Sequence, residues 1–505
     1  MRARWIALGA AALIATTTRA EAFCGFYVGG AGSEMFNNAT EVVLMRHGTT
    51  TVLSMQNNYQ GPPQNFALVV PVPVVVKESQ VKTLPRELFA KIDVLGAPRL
   101  VEYWEQDPCH PMQDVEMLGS IAQPESIVLE SASEDSDERE YHVKIEAKFS
   151  VGEYNIVVLS AQESTGLERW LHANQYQIPP AAEPLLRPYV EQGMKFFVAK
   201  VDPKKVTFTG GMATLSPLRF YYDSTDFSLP IRLGLANSSG TQDLIVNILA
   251  PNMRYEVANH PNVTIPTNLN VNDSVRTRFG EFYAALFDHT LERVPGAVVT
   301  EYAWDSGSCD PCPGPTLDPT DLATLGADVI ASTYKDVQPA GFTLTRLHAR
   351  YGKDVTSDLV FRAVEPITGG RGIPDEHGAM SSAITRDGSN NFQGRYVILH
   401  PWTGEIACQS PVRGTWGGPT DQQQIATQIA TNLAFAPRGK VELGSMVSQV
   451  PMVGVLDSKG TTLPLPVRQP QGCGCQAQGG TASALGLVVF GFVIRRRRRS
   501  STSLS

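Results

Sequence analysis

From Tyr141 to Val151 every second residue is apolar, and the residues between them are polar or charged. This period of two predicts a strand with one buried face. Alternating or continuous apolar runs predict further strands over residues 42–55, 66–76, 155–160, 196–201, 244–249, 298–304, 342–351, 359–364 and 395–400. Strands therefore dominate the expected structure.

Helical spacing is rarer along the chain. Leu88, Ile92 and Leu95 recur on one side of a segment that has Thr83 as its predicted N-cap and Pro85 in its first turn. Further helices are predicted over residues 165–174, 182–192, 278–293, 319–325 and 422–433. Because strands and helices mix without a regular βαβ repeat, the expected fold class is α+β, with largely antiparallel sheets and interspersed helices.

The N-terminus has the pattern of an export signal. Arg2 and Arg4 form a positive start, and residues 5–15 form an apolar core. Ala20 and Ala22 then supply the small residues that precede a signal-peptidase cleavage site. We expect cleavage after residue 22, so that the body of the protein is exported and begins at Phe23.

The C-terminus combines a cysteine motif, a short apolar helix and a basic cluster. Cys473 and Cys475 lie in a Gly-rich motif, and residues 482–494 are apolar. Five arginines follow: Arg495, Arg496, Arg497, Arg498 and Arg499. Thirteen helical residues span roughly 20 Å, which is short of the ~30 Å hydrocarbon core. The arginines are expected to stay cytoplasmic, which places the body outside, and the marginal span suits a temporary stop better than a permanent anchor.

Residues 471–499 resemble the MYXO-CTERM class of sorting signals, in which a cysteine motif precedes a short helix and an arginine cluster. The resemblance implies that an intramembrane protease removes the helix while the cysteine region stays with the exported protein. This tail departs from the class by carrying two cysteines, so the processed one is either Cys473 or Cys475. The implied partners are the export and sorting machinery, and the membrane through the tail.

The predicted organisation is therefore a signal peptide (1–22), an exported α+β body (23–455), a spacer rich in Pro, Gly and Gln (456–480), and a hydrophobic helix with its arginine cluster (481–499). The formal net charge of the chain is −8. Without the eight arginines and Glu21 of the two terminal segments, 34 basic and 49 acidic side chains remain, a net charge of −15. That sign repels phosphate backbones and argues against nucleic acid as a partner.

Five cysteines outside the tail are candidates for disulfides in an oxidising compartment: Cys24, Cys109, Cys309, Cys312 and Cys408. Cys24 has the position of a lipoprotein cysteine, but the bulky Phe23 before it disfavours lipidation and favours a disulfide. We expect Cys24 to pair with Cys109, because a mature terminus frays unless it is tied down.

Cys309 and Cys312 form a CxxC motif after a predicted strand, an order found in thioredoxin-like redox sites. Pro313 and Pro315 follow the motif and prevent a regular helix from beginning there. The helix N-terminus that would stabilise a thiolate is therefore missing. We expect a structural disulfide without thiol–disulfide exchange activity, with redox and zinc sites as the alternatives.

A second resemblance covers most of residues 23–364, which are similar to an uncharacterised bacterial family, the domain of unknown function 2330. The similar segments are residues 23–28, 36–40, 54–59, 70–73, 103–109 and 229–233. The resemblance implies an exported envelope protein with no known activity. It assigns no catalytic residue.

The motifs of common enzyme chemistries are absent: there is no Gly-x-Ser-x-Gly elbow, His-Glu-x-x-His, phosphate-binding loop or dinucleotide fingerprint. The sequence therefore predicts no cofactor and no metal site. Residues 130–140 contain six acidic side chains, but they lack the spacing of a Ca²⁺ loop and suggest a solvated hairpin tip.

Aromatic side chains leave the function open between two classes. Five tryptophans of the body could stack on a glycan or peptide, although burial in the core is the commoner role: Trp104, Trp170, Trp304, Trp402 and Trp416. We favour a non-catalytic binding or structural envelope protein with an extracellular partner. The alternative is a secreted enzyme, a hydrolase or CxxC thiol oxidoreductase, with a dispersed active site.

Overall fold

A computed structural model describes residues 26–28, 39–56, 67–110, 142–174, 176, 182–209, 212–237, 240–338, 341–419, 428–429, 441–447 and 467–468. The chain divides into two compact units, residues 1–470 and 471–505, and every described residue belongs to the first. Accordingly, the predicted signal peptide, the acidic segment and the sorting tail lie outside the described residues.

The strands of the described part, numbered in chain order, are β1 Phe26–Val28, β2 Ala39–His47, β3 Thr50–Met55, β4 Ala67–Val72, β5 Val81–Thr83, β6 Arg99–Glu105, β7 Val143–Val151, β8 Tyr154–Ala161, β9 Lys195–Val201, β10 Thr207–Thr209, β11 Met212–Thr214, β12 Leu218–Asp223, β13 Ser228–Leu229, β14 Gln242–Pro251, β15 Arg254–Val257, β16 Asn262–Thr264, β17 Leu269–Asn270, β18 Val298–Asp305, β19 Phe342–Tyr351, β20 Leu359–Val364, β21 Ile367–Gly369, β22 Thr385–Arg386, β23 Asn391–Gln393, β24 Arg395–His400, β25 Trp416–Gly417, β26 Gln428–Ile429 and β27 Val467–Arg468. The helices are α1 Arg86–Gly96, α2 Ser164–Ala173, α3 Ala182–Glu191, α4 Phe279–Arg293, α5 Pro319–Leu322 and α6 Asp328–Thr333.

These strands form three larger sheets. The central sheet has the order β22-β21-β23-β18-β19-β14-β2-β3-β12-β5, with β16 and β27 joined beside β18. The outer sheet has the order β1-β4-β9-β8-β7, and the rim sheet has the order β17-β24-β6-β25, with β26 also paired to β6. Most pairs are antiparallel, and five pairs of the described strands run parallel: β2–β14, β16–β18, β17–β24, β21–β23 and β6–β24. The predicted α+β class with largely antiparallel sheets is confirmed.

Four apolar clusters hold these layers together. One lies between the central and outer sheets, where Leu244 and Phe197 belong to the same buried group. α2 and α3 cover the outer sheet, and α1, α5 and α6 pack on the central sheet around β2 and β3. α4 packs against strands of both the central and the rim sheet. The helices therefore set the position of the rim sheet relative to the central sheet.

Most predicted elements shift by a few residues at their ends, and three predictions differ in kind. Residues 42–55 form a hairpin instead of one strand, because the chain turns at Gly48, which has φ +53° and lies against the ring of Tyr334. Thr83 belongs to β5 and does not cap α1, which begins at Arg86 after Pro85. In the predicted helix over 422–433, residues 428–429 form strand β26, because they pair with β6; the rest lies outside the described residues.

A buried ionic network crosses the face of the central sheet beneath α1 and α4. Glu301 is fully buried at a β-bulge in β18, where the pairing register shifts between Thr300 and Tyr302. The bulge directs its carboxylate to three donors: the Arg346 Nε at 2.8 Å, the His348 Nδ1 at 2.7 Å and the Tyr283 hydroxyl at 2.6 Å. Burial alone would raise the pKa of Glu301, but these partners lower it to about 2.

The network continues to both helices. Arg346 lies 2.8 Å from the Asp93 carboxylate of α1, and the His348 Nε2 lies 3.1 Å from the Asp243 Oδ1. Because both partners of His348 are carboxylates, both of its ring nitrogens donate, and these bonds raise its pKa against the effect of burial. α1 and α4 are therefore joined to the central sheet by charge as well as by apolar packing.

Glu41, at the edge of this network, has a raised pKa. Burial and repulsion from Asp93 raise its pKa to about 8, although Arg346 and a hydrogen bond from the Asn247 amide act in the opposite direction. A raised pKa stabilises the folded state fully below pH 4.5, and this contribution is lost as the pH rises to about 8.

We predict that Glu41→Gln removes part of the pH dependence of stability. Between pH 5 and 8 the parent should lose about 3 to 4 kcal/mol relative to the variant, because the unfolded carboxyl is ionised while the folded one keeps its proton. Urea midpoints measured across this range test the difference. Glu87→Gln, at an exposed position of α1, should follow the parent curve. Superimposable curves for the parent and Glu41→Gln would contradict the prediction.

Candidate functional site

The candidate site is built at the carboxyl ends of two parallel strands of the rim sheet. β6 and β24 are neighbours, with Arg99 opposite Arg395 and Trp104 opposite His400. Because parallel strands end at the same edge of a sheet, the residues that follow them also meet there. The rim loop, residues 401–415, leaves β24 and returns along β6 as β25.

The five candidate tryptophans separate into two groups. Trp170 and Trp304 are each 4% exposed and belong to the apolar core. Trp104, Trp402 and Trp416 are only half-buried, and all three lie on β6, the rim loop or β25. We call these three residues the tryptophan rim. Two of the five tryptophans are therefore core residues, and the other three lie at one edge of the rim sheet.

On one face of β6, Trp104 adjoins a charged cluster. Its ring stacks on the His400 imidazole, with centroids 4.5 Å apart and planes 17° from parallel. The Glu102 carboxylate accepts hydrogen bonds from the Arg276 Nε at 2.9 Å and Nη2 at 2.7 Å. The His400 Nε2 lies 2.7 Å from the same carboxylate. The stacked pair is therefore held in orientation by Glu102.

The charges of this cluster determine the tautomer of His400. The Arg276 hydrogen bonds, opposed by partial burial and assisted by His400, lower the pKa of Glu102, so its carboxylate only accepts hydrogen bonds. The His400 Nε2 must then carry a hydrogen. In the neutral imidazole this leaves Nδ1 as an acceptor beside the Trp104 ring.

Glu105, which points to the opposite face of β6, fastens the rim loop. Its carboxylate is buried and accepts four hydrogen bonds: from the Arg413 Nε at 2.7 Å and Nη2 at 2.8 Å, the Gly414 amide at 2.9 Å and the Trp402 amide at 3.0 Å. The Arg413 bonds, opposed by burial and assisted by both amides, lower the pKa of Glu105 to about 2. One carboxylate thus binds both ends of the loop.

Close packing also holds the rim loop against the segment that contains Asp375 and Glu376. Gly414 has φ +77°, and a Cβ at this position would lie 2.1 Å from the Glu376 Cα. Only glycine fits this approach. The Trp416 indole donates to the Asp375 carbonyl at 3.0 Å, which ties β25 to the same segment.

A disulfide joins Cys109, just after β6, to Cys408 in the rim loop, with Cα atoms 5.6 Å apart. The prediction that Cys109 pairs with Cys24 is therefore wrong. The two cysteines meet because β6 and β24 are adjacent in the rim sheet, although 299 residues separate them in sequence. Cys24 itself lies outside the described residues.

Cys309 and Cys312 form the second disulfide, as predicted, with Cα atoms 4.9 Å apart. Their loop caps buried polar side chains: the Pro311 carbonyl accepts from the Arg99 Nη1 at 2.6 Å, and the Asp310 carbonyl accepts from the Gln393 amide. The first helix after the motif begins only at Pro319. Absence of exchange activity stays a prediction.

The remaining predicted sites lie outside the described residues: Ala20, Ala22, Phe23, Cys473, Cys475, Arg495, Arg496, Arg497, Arg498 and Arg499. Within the described part, no cluster of three or more His, Cys, Asp or Glu side chains could hold a metal ion. In the same part, no helix has both the length and the apolarity to cross a membrane.

Sequence reasoning missed the polar half of the site. Glu102, Glu105 and His400 come from strands that are distant in sequence, and Arg276 and Arg413 come from loops. The one available signal was the alternation of Glu102 and Trp104 on β6, which places a carboxylate and an aromatic ring on the same face. Their partners depend on the β6–β24 pairing, which has no local signature.

The fold and this edge define a disulfide-linked α+β protein with half-exposed tryptophans at the end of a parallel strand pair. The chain belongs to an uncharacterised family of proteins conserved in bacteria, DUF2330, whose family model matches residues 18–362. The family resemblance predicted from the sequence is thereby confirmed. The match includes β6 but ends before β24 and the rim loop. No curated protein and no solved structure matches the chain.

We predict that Glu105→Gln loosens the rim loop and destabilises the fold by about 3 kcal/mol at pH 7, because the charge-assisted Arg413 bonds are lost. The depressed pKa stabilises the folded state above pH 4.5, and this contribution is lost as the pH falls toward 2. The difference in urea midpoint between parent and variant should therefore shrink between pH 7 and 3. Glu405→Gln, an exposed change in the same loop, is the control and should be neutral. Equal urea midpoints for the parent and Glu105→Gln at pH 7 would show that Glu105 does not hold the rim loop in place.

Proposed function

We propose that this chain is an exported, non-catalytic binding protein, held at the cell surface through its C-terminal tail, with the tryptophan rim as its binding surface. The Cys109–Cys408 disulfide is the observation that carries the proposal. It joins two distant parts of the chain beside the half-exposed tryptophans, and such bonds persist in oxidising compartments. The predicted signal peptide and sorting tail support the same location.

A binding role agrees better with the rim than a catalytic one. Its carboxylates are occupied by fixed partners, Glu102 by Arg276 and His400, and Glu105 by Arg413 and two backbone amides. The CxxC pair is closed as a disulfide in a loop that caps Arg99. Half-exposed aromatic rings on a braced loop are instead suited to contact with a ligand, because little side-chain freedom is lost on binding.

The oxidation state of Cys109 and Cys408 tests export. Intact cells are alkylated before lysis, the protein is then reduced and labelled with a second alkylating agent, and both cysteine peptides are quantified by mass spectrometry. We expect nearly all Cys109 and Cys408 to carry the second label. In Cys109→Ser, Cys408 should instead carry the first label, which shows that the two residues pair with each other. Both cysteines carrying the first label in the parent protein would contradict export.

We predict that replacing Arg495–Arg499 with glutamine impairs surface retention and processing, because the positive cluster that stops the tail is lost. Replacement of the same five residues with lysine keeps the charge and should preserve both. Surface biotinylation and the size of the mature chain provide the readout. A glutamine variant that is processed and displayed like the parent would contradict the sorting role of the tail.

A further inference from the structure

We propose that the Trp104–His400 platform binds a neutral glycan, with Trp104 stacking on a sugar ring and its charged neighbours bonding the hydroxyls. This inference rests on the proposed surface-binding function and names the ligand class of the same site. It depends on three properties of the platform: a rigid aromatic ring, mixed hydrogen-bonding groups and the charge of the protein around it.

The ring is rigid because its support is fixed at several points. His400 lies against Trp104, and Glu102 holds His400 through the 2.7 Å hydrogen bond. Beneath them, Glu102 is joined to Arg276, which lies two residues before the N-cap of α4. A flat apolar surface held in place in this way can stack on the C–H face of a sugar with little loss of conformational entropy.

Both donors and acceptors of hydrogen bonds lie beside His400, the residue that stacks on the Trp104 ring. The Arg276 side chain is 37% exposed, and the Asp273 carboxylate, 3.3 Å from it, is 70% exposed. The His400 side chain is 23% exposed and, in its neutral form, offers Nδ1 as an acceptor. Sugar hydroxyls both donate and accept, so this mixture suits them better than it suits a purely apolar or purely anionic ligand.

The net charge of the protein and the position of its exposed apolar side chains further restrict the class of ligand. The body of the protein is acidic, which disfavours polyanionic ligands. A docked amphipathic peptide requires a continuous apolar groove. Five large apolar side chains of the described part are well exposed: Met253, Val360, Ile373, Ile406 and Val412. Ile406 and Val412 lie in the rim loop, but none of the five lies on β6 or β24, so beside Trp104 and His400 these strands offer no continuous apolar groove. A neutral glycan is the ligand that these observations favour.

Affinity electrophoresis of the folded exported protein tests the proposal, with hydroxyethyl cellulose, laminarin and glycol chitin each cast in the gel. We expect at least one of these neutral polysaccharides to retard the parent. Trp104→Ala should weaken that affinity about tenfold, which corresponds to the loss of one stacking contact. His400→Phe keeps an aromatic ring but loses both Nδ1 and the Nε2 hydrogen bond to Glu102, so its affinity should be intermediate. Met253→Ala removes an exposed apolar side chain elsewhere and should bind like the parent.

Melting temperatures establish that each variant is folded, and Asp273→Asn, at a 70% exposed position, tests the same site if Trp104→Ala does not fold. The proposal is overturned if none of the three polysaccharides retards the parent, or if folded Trp104→Ala is retarded equally. Binding of peptides that Trp104→Ala abolishes would also overturn the glycan assignment, while leaving the surface-binding function in place. Reduced Cys109 and Cys408 in intact cells would instead count against the proposed function itself.

Discussion

The buried carboxylate of Glu301 is the constraint on which the rest of the structure depends. A buried charged group is costly unless it is paired and hydrogen-bonded, and here a β-bulge turns the carboxylate toward Arg346, His348 and Tyr283. Arg346 extends the network to Asp93 on α1, while Tyr283 belongs to α4. The two helices that border the rim sheet are thus fixed by one side chain of the central sheet.

The positions of α1 and α4 in turn determine the position of the candidate site. α1 leads directly into β6, whose Glu102, Trp104 and Glu105 form the base of the rim. α4 begins just after Arg276, which reaches Glu102. The disulfide and Glu105 then fasten the rim loop to the end of β6. The rim is consequently rigid before any ligand arrives, which is the property that favours binding over a loosely held surface loop.

Local sequence patterns predicted much of the fold. The strands over 342–351, 359–364 and 395–400 have the predicted boundaries, because alternating or continuous apolar residues there are bounded by polar or turn residues. Predictions of secondary structure were wrong where tertiary contacts determine the local conformation. The hairpin at Gly48 depends on packing against Tyr334, and residues 428–429 are extended because β6 offers them a partner.

The candidate site was predictable only in its aromatic part. Tryptophans could be named from composition, but their separation into core and rim depends on which sheet each one joins. The Cys109–Cys408 pair and the Glu102–His400 contact both arise from the parallel β6–β24 pairing across about three hundred residues, a nonlocal contact that no periodicity reports. Buried ion pairs such as Glu301–Arg346 could not be predicted from the sequence either, since a charged residue in a strand ordinarily predicts exposure.

If the tryptophan rim is the binding surface, a bound ligand should shield the rim from solvent and leave the rest of the surface unchanged. Hydroxyl-radical footprinting of the folded protein, with and without a polysaccharide fraction of a bacterial cell envelope, measures the solvent exposure of each residue. We expect the polysaccharide to protect Trp104, and His400 beside it, with no change at the buried Trp170 and Trp304. Equal oxidation of Trp104 in both samples, or protection confined to another surface, would contradict it.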